Sequence, residues 1–364
     1  MMIDKRLLKN LDYVIIAVVV ALTTISFFVI ASASAENPYY YIKRQAIWAV
    51  VGLVLFVVML SFDYHDLAQY TNQMYYINLA LLIAVFIFGR EAKGAQRWLR
   101  LGPLELQPSE LAKIIIIITL ADLLSKRAHS LHSVRDLVPV FLHVGIPMAL
   151  ILKQPDLGTS LVFIGLLLGM LFVAGIKWQY LAGLCGIGGA LAPLLFYFLE
   201  PYQRKRILVV FNPYIDPTGD GYHVIQSMIA IGSGRAWGKG LFGGTQNRLG
   251  FLPEQHTDFI FSVIGEELGF IGAGIILLLY FILIYRGIRV ALKARDDFGT
   301  LLATGVVIMF TFHILVNVGM TLGIMPVTGI PLPFMSYGGS SYLTNMMALG
   351  LLLNVYMRRQ KILF

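Results

Sequence analysis

The chain has 364 residues, of which 58% are hydrophobic and only 13% charged, and its mean hydropathy is +0.76. So little polar surface cannot cover a water-soluble globule of this size, which excludes a soluble enzyme or binding module and leaves a polytopic membrane protein. The formal net charge of +8 is spread over membrane-flanking loops, where it sets topology and implies no nucleic-acid partner.

Apolar runs suited to crossing about 30 Å of hydrocarbon, roughly 17 to 25 residues each, occur ten times along the chain. They are Tyr13 to Ala33, Ala46 to Phe62, Met74 to Gly89, Pro108 to Ser125, Leu137 to Leu152, Leu157 to Ile176, Trp178 to Leu199, Phe259 to Tyr285, Phe298 to Gly323 and Tyr342 to Tyr356. The predicted fold is all-α with about ten transmembrane helices, read as one membrane domain over residues 1–364. The first run follows Lys5, Arg6 and Lys9 and precedes the small residues 31–35, a pattern resembling a signal peptide. Its apolar core is too long for such a signal, so it reads as a retained anchor. Cys185, the single cysteine, lies in the seventh run; no intramolecular disulfide can form, and it reads as a buried small hydrophobe. No internal repeat marks an inverted-repeat transporter.

With an even number of spans both termini share one side, and lysines and arginines can be assigned to alternate loops. One side carries fourteen, from Lys5, Arg6 and Lys9 through Lys126, Arg127, Arg286 and Arg289 to Arg358, Arg359 and Lys361. The short loops opposite carry six: Lys43, Arg44, Arg90, Lys93, Arg97 and Arg100. Both termini are therefore read as cytoplasmic. The loop Arg90 to Gln107 and the long segment of about residues 200–258 then face outward. No ATP pool exists there, and the chain contains no GxxxxGK[ST], no GxGxxG after a strand and no HExxH. A bond-forming reaction on that side needs a substrate that is already activated.

The outward side holds the residues with chemistry to offer. Glu254, His256 and Asp258 cluster just before the eighth span, where titratable groups are costly and usually functional. Thr257 is placed to cap that helix, with Asp258 in its first turn, where the dipole keeps a carboxylate ionised. Asp258 can then serve as general base toward a hydroxyl, or it can be plain helix-start electrostatics. In the fourth span Glu110 and Lys113 share a helix face and can pair; the pair either is structural or lets Lys113 contact an anion while Glu110 orients it. Trp98, between Arg97 and Arg100, is either an interfacial belt residue or a stacking face for a sugar. Arg44 and Lys43 suit a phospholipid headgroup as well as a phosphate substrate. Glu266 and Glu267, just inside the eighth span, either relay protons or cap a polar seam. The Pro331 to Ser341 stretch has the irregular backbone tolerated at membrane depth only inside protein or along a wet cavity.

Arg97-Trp98-Leu99, Gln107 to Lys113, Gln154-Pro155-Asp156-Leu157-Gly158-Thr159, Glu254 to Phe261 and Pro331 to Ser341 together resemble the SEDS family (shape, elongation, division and sporulation), over almost the whole chain and without departure at its key positions. The resemblance implies a bacterial peptidoglycan glycosyltransferase of the cytoplasmic (inner) membrane that polymerises lipid II on its outer face. It implies Asp258 as the catalytic base, deprotonating the 4-hydroxyl of the acceptor GlcNAc for inverting attack on MurNAc. Arg44, Trp98, Glu110, Lys113 and Asp156 are expected in or near the cavity, with Glu254 and His256 beside Asp258. It implies a class B penicillin-binding protein as partner, beside the membrane lipids and the growing glycan strand. No metal ligands and no cofactor are expected, and the effect of divalent cations stays open. Short termini and overall similarity favour elongation and rod-shape maintenance over division or sporulation. A lipid II flippase, with Asp122 as the clearest charged candidate on the cytoplasmic half, and a noncatalytic scaffold are the rival readings.

Overall fold

The computed structural model describes residues 9–34, 37–92, 95–101, 104–127 and 134–359. Its helices are α1 (Tyr13–Ala33), α2 (Pro38–Ser61), the short α3 (Tyr64–Leu67), α4 (Thr71–Phe88), α5 (Pro108–Ser125), α6 (Val134–Lys153), α7 (Leu157–Val173), α8 (Trp178–Phe198), α9 (Pro201–Phe211), α10 (Asp220–Ser233), the short α11 (Thr245–Arg248), α12 (Ile260–Leu292), α13 (Asp297–Thr321) and α14 (Gly339–Met357). Each of the ten apolar runs falls on one helix. Six of these, α1, α2, α4, α6, α12 and α13, are long and apolar enough to cross a membrane on their own composition. Helix α14 is less apolar because it buries Ser340, Ser341, Thr344, Asn345 and Asn354 inside the bundle.

Local chemistry sets the helix starts. The Asp12 carboxylate accepts from Val14 N at 3.1 Å and Ile15 N at 3.3 Å, satisfying two otherwise orphaned donors of α1. Proline stands at the start of α2 and α5, where its missing N–H costs nothing. Helix α13 is the central post, buried along most of its length and packed on α5, α7, α12 and α14. Small residues allow the close approach: a Cβ on Gly169 of α7 would lie 2.4 Å from Ile308 of α13. Helix α1 packs on α12, with Ile15, Leu22 and Ile30 fully buried, so it is built into the bundle.

Two segments expected to be outward-facing loops are ordered differently. Three short strands, β1 (Arg90–Ala92), β2 (Ala95–Leu101) and β3 (Leu104–Leu106), form an antiparallel meander, with Arg90 paired to Trp98 and Leu99 to Leu106. The Ala-Gln-Arg-Trp-Leu-Arg-Leu run of β2 does not alternate strictly, since Gln96-Arg97 and Trp98-Leu99 stand side by side, so periodicity alone does not mark it as a strand. The long segment before α12 is largely helical, and α10 lies against the bundle. There the hydroxyls of Ser227 and Ser262 are 2.6 Å apart, and Ser227 donates to Thr321 O at 2.6 Å.

Helix α12 is broken at Gly269, which has φ +66° and ψ −166°. Backbone groups released inside a membrane span must be paired within the protein, and residues 235–240 do this. Lys239 N and Gly240 N donate to Glu266 O and Glu267 O at 3.0 and 2.9 Å, while Phe270 N and Ile271 N donate to Arg235 O and Ala236 O at 2.8 and 3.1 Å. A Cβ on Gly269 would sit 2.2 Å from Gly238 N. Gly269→Ala is therefore expected to cost roughly 1–3 kcal/mol from backbone strain alone, with the clash in addition. It is measured as a lower melting temperature in detergent; an unchanged melt would show that the break is not fixed by this residue.

Cys185 is exposed on α8, correcting its reading as buried. Almost all of α8 is exposed because it stands at the edge of the bundle against α7. An apolar thiol on such a rim needs no protein core.

Candidate active site

The turn before α12 is wound around one carbonyl. Glu254, in the left-handed region at φ +53°, presents its O to Thr257 N, Asp258 N and Phe259 N at 3.1, 3.1 and 3.3 Å. Thr257 does not cap the helix; its hydroxyl turns back to Glu254 O at 3.1 Å, and the cap position falls to Phe259. Asp258 consequently lies in the turn rather than in the first helical turn, half-buried.

The stretch 328–341 closes over this turn. Ser336 donates to Thr257 O at 2.6 Å, and Tyr337 N donates to His256 O at 2.9 Å. The amide of Asn317, on α13, donates to Asp258 O at 2.9 Å and to Ile330 O at 2.8 Å, tying the Asp258 backbone to the neighbouring strand of chain. Gly329 has φ +71°, and a Cβ there would meet the Asp258 Oδ2 at 3.3 Å. Only a residue without a side chain accepts that backbone at no steric cost and leaves room beside the carboxylate.

His256 adds its ring to an aromatic group, 4.6 Å from Tyr41 and 5.6 Å from Tyr337 between centroids. Arg44 lies over the Tyr40 ring at 5.3 Å and donates to its hydroxyl at 2.8 Å. Burial pushes the Tyr337 phenol above its usual value and the nearby Arg44 guanidinium opposes that shift, which places Arg44 at the edge of the same group.

Asp156, also buried, caps α7. Its carboxylate accepts from Thr159 N at 3.1 Å, the Thr159 hydroxyl at 2.9 Å, and both Gln107 Nε2 and the Ser109 hydroxyl at 3.2 Å. Arg97, from β2, donates to Gln154 O at 2.9 Å and to Pro155 O, and its guanidinium stands 4.0 Å from Asp156. A Cβ on Gly158 would lie 2.8 Å from Thr328 O, so the start of α7 abuts the stretch that holds Asp258. Trp98 is half-buried on β2; it has no aromatic partner among the described residues.

Deeper in the bundle the Glu110–Lys113 pair forms at 2.7 Å, with both residues buried. His313, one turn before Asn317 on α13, joins it, its Nε2 being 3.2 Å from Lys113 Nζ. Reading by motif missed His313, Asn317 and Gly329. The first two carried a usable signal, as polar side chains four apart, hence on one face, within an apolar span.

Glu266 and Glu267 diverge, as adjacent helical residues must. Glu266 pairs with Lys239 at 2.7 Å and accepts from Thr245 N and Gln246 N at 2.8 and 3.0 Å, capping α11; Glu267 accepts from the Ser32 hydroxyl. These are the contacts of a polar seam. Among the described residues no three His, Cys, Asp or Glu side chains converge to hold a metal ion.

His223, on α10, packs 5.9 Å from Phe259. Burial pulls its imidazole below the ordinary histidine value, reinforced by Arg206 and opposed by Asp220, Glu254 and Asp216. The folded protein thus binds this proton less readily than the unfolded chain. The resulting stability is fully present above about pH 6.5 and is lost as pH falls toward the lowered folded value. Melting temperatures at about pH 7.5 and 5.5 should therefore fall further apart for wild type than for His223→Gln; equal differences would refute the assignment.

The apolar helices and the polar site enclosed at one end define a polytopic integral membrane protein. The family FTSW_RODA_SPOVE, described as cell cycle protein, matches residues 11–361. The chain is 40% identical over 352 residues to the peptidoglycan glycosyltransferase MrdB of Escherichia coli K12, covering 96% of this chain and 95% of the relative. Among solved structures it is similar to a chain described under "Structural coordination of polymerization and crosslinking by a peptidoglycan synthase complex", with TM-score 0.84, 36% identity, and 96% and 99% of the two chains covered. It is also similar to the rod shape determining protein RodA of Thermus thermophilus, with TM-score 0.74, 32% identity and coverage of 96% and 98%. The chain belongs to the FtsW/RodA/SpoVE family, the one its motifs pointed to.

Proposed function

We propose that this protein polymerises lipid II into glycan strands on the outer face of the bacterial cytoplasmic membrane, as the elongation-type polymerase of its family. That it is a peptidoglycan glycosyltransferase rests on its membership and on relatives so named over nearly their full length. The observation that carries the reaction is the Asp258 carboxylate set beside Gly329, with Asn317 holding the Asp258 carbonyl and Ser336 the Thr257 carbonyl just before it. A carboxylate in a fixed frame removes the proton of a hydroxyl within hydrogen-bond reach. Here it takes the proton of the acceptor GlcNAc 4-hydroxyl as that oxygen attacks the anomeric carbon of the lipid-linked MurNAc with inversion. The bond to the lipid pyrophosphate breaks, and Lys113 and Arg44 are the cations that stabilise the departing anion. Asp156, Glu110, Trp98, Glu254 and His256 shape and orient the cavity.

Orientation follows from the lysine and arginine asymmetry between loops, which puts both termini in the cytoplasm. The partner is a class B penicillin-binding protein, in keeping with the related chain described within a peptidoglycan synthase complex. A flippase reading is disfavoured by Asp122, which is occupied by Lys126 at 2.7 Å and Thr71 at 2.9 Å. The test is polymerisation of lipid II by the purified protein with its cognate penicillin-binding protein, transpeptidation blocked, beside a lipid II flipping assay in sealed vesicles. Polymer without flipping is expected; flipping without polymer would overturn the proposal.

A further inference from the structure

We infer that His313 is the positioning residue for the cation at the pyrophosphate site. The inference rests on the reading of Lys113 as the group that steadies the departing lipid pyrophosphate.

An ammonium carries three N–H donors and no acceptor, so at 3.2 Å from Lys113 Nζ the His313 Nε2 must accept. That assigns the tautomer: Nε2 keeps its lone pair and Nδ1 carries the proton. Glu110 Oε1 takes a second donor at 2.7 Å. A lysine head on a flexible four-carbon stem has no fixed direction of its own. Held by two acceptors on two different helices, α5 and α13, its third N–H has one direction only. Among the described residues no protein group takes that third N–H, and Lys113 is 1% exposed, so water does not screen it. Two further atoms of the cluster are buried without partners, Glu110 Oε2 and His313 Nδ1. Unpaired buried polar atoms are costly, and these belong to the same two residues that hold the ammonium, so the cluster keeps unused hydrogen-bonding capacity beside a directed cation whose third N–H an anionic oxygen would take. With His313 removed, Lys113 would be held by Glu110 alone and its charge would turn onto that carboxylate. His313 thus acts on the anion only through Lys113.

The experiment measures binding of undecaprenyl pyrophosphate to the purified complex, with lipid II polymerisation recorded on the same samples. His313→Leu is expected to weaken binding about tenfold or more, the usual scale for losing a hydrogen bond to a charged group. His313→Gln, whose amide oxygen can accept in place of Nε2, should recover binding to within about threefold of wild type. In the charge-free background Glu110→Gln/Lys113→Met, His313→Leu should have no further effect, because coupled residues are not additive. Wild-type binding by His313→Leu, or a further loss in that background, would overturn the inference while leaving the polymerase reading intact. Failure of the wild-type complex to polymerise would instead overturn the polymerase reading. If the leucine variant does not fold, His313→Asn replaces it: its shorter amide falls short of Nζ, so it should bind several-fold more weakly than His313→Gln, and equal binding would refute the role.

Discussion

Asp258→Asn in the intact complex abolishes glycan polymerisation, lowering the initial rate by about 100-fold or more, the range in which a positioned general base contributes. Asparagine has the shape of aspartate and cannot accept the proton. Two hydrogen bonds hold the main chain of residue 258 and do not involve its carboxylate: the Asn317 amide donates to the carbonyl, and Glu254 O accepts the Asp258 N–H. Both survive the replacement, so the melting temperature should stay close to wild type. Asp258→Glu keeps the carboxylate and displaces it by one methylene, and misplacement on the scale of 1 Å can cost about 100-fold. Activity recovered in full by the glutamate variant would argue for an electrostatic anchor rather than a positioned base. A wild-type rate from Asp258→Asn would remove Asp258 from the chemistry.

What the sequence displayed and what it hid divide along physical lines. A span of membrane helix is a local property of composition, and all ten apolar runs became helices. The break at Gly269 is not local: it depends on residues 235–240 supplying four backbone hydrogen bonds from about thirty positions away. The helical character of the segment before α12 was hidden because α9 carries Arg204, Lys205 and Arg206 and has no long apolar run. The β2 strand was hidden too, because Gln96-Arg97 and Trp98-Leu99 break the alternation that would have marked it. In the site, Glu110 and Lys113 paired as their spacing demands, and Asp258, Glu254 and His256 stood out as titratable groups at a membrane boundary. The way they are held was not visible. Thr257 looked like a helix cap and instead turns toward Glu254, while the carbonyls of Asp258 and Thr257 are held by Asn317 and Ser336, some sixty to eighty residues later in the chain.

Lys113→Met should destabilise the protein strongly, by about 3–5 kcal/mol, because removing one partner of a buried pair leaves the other as an uncompensated charge. Glu110 is 5% exposed and its Oε2 has no partner even in the wild type, so losing the ammonium leaves a buried carboxylate without its cation. Glu110→Gln/Lys113→Met removes both charges at once and should recover most of that loss, since replacing a whole buried pair by neutral groups is often close to neutral. The two variants then separate stability from function. A structural pair predicts that the double variant, once stable, regains activity. A cation that steadies a departing pyrophosphate predicts a stable protein that stays inactive, and that is the expected result, read from melting temperatures in detergent beside polymerisation rates. The buried pair brings its desolvation cost whichever role it plays; a chain that could hold α5 against α13 with methionine and glutamine has no structural need for a lysine there.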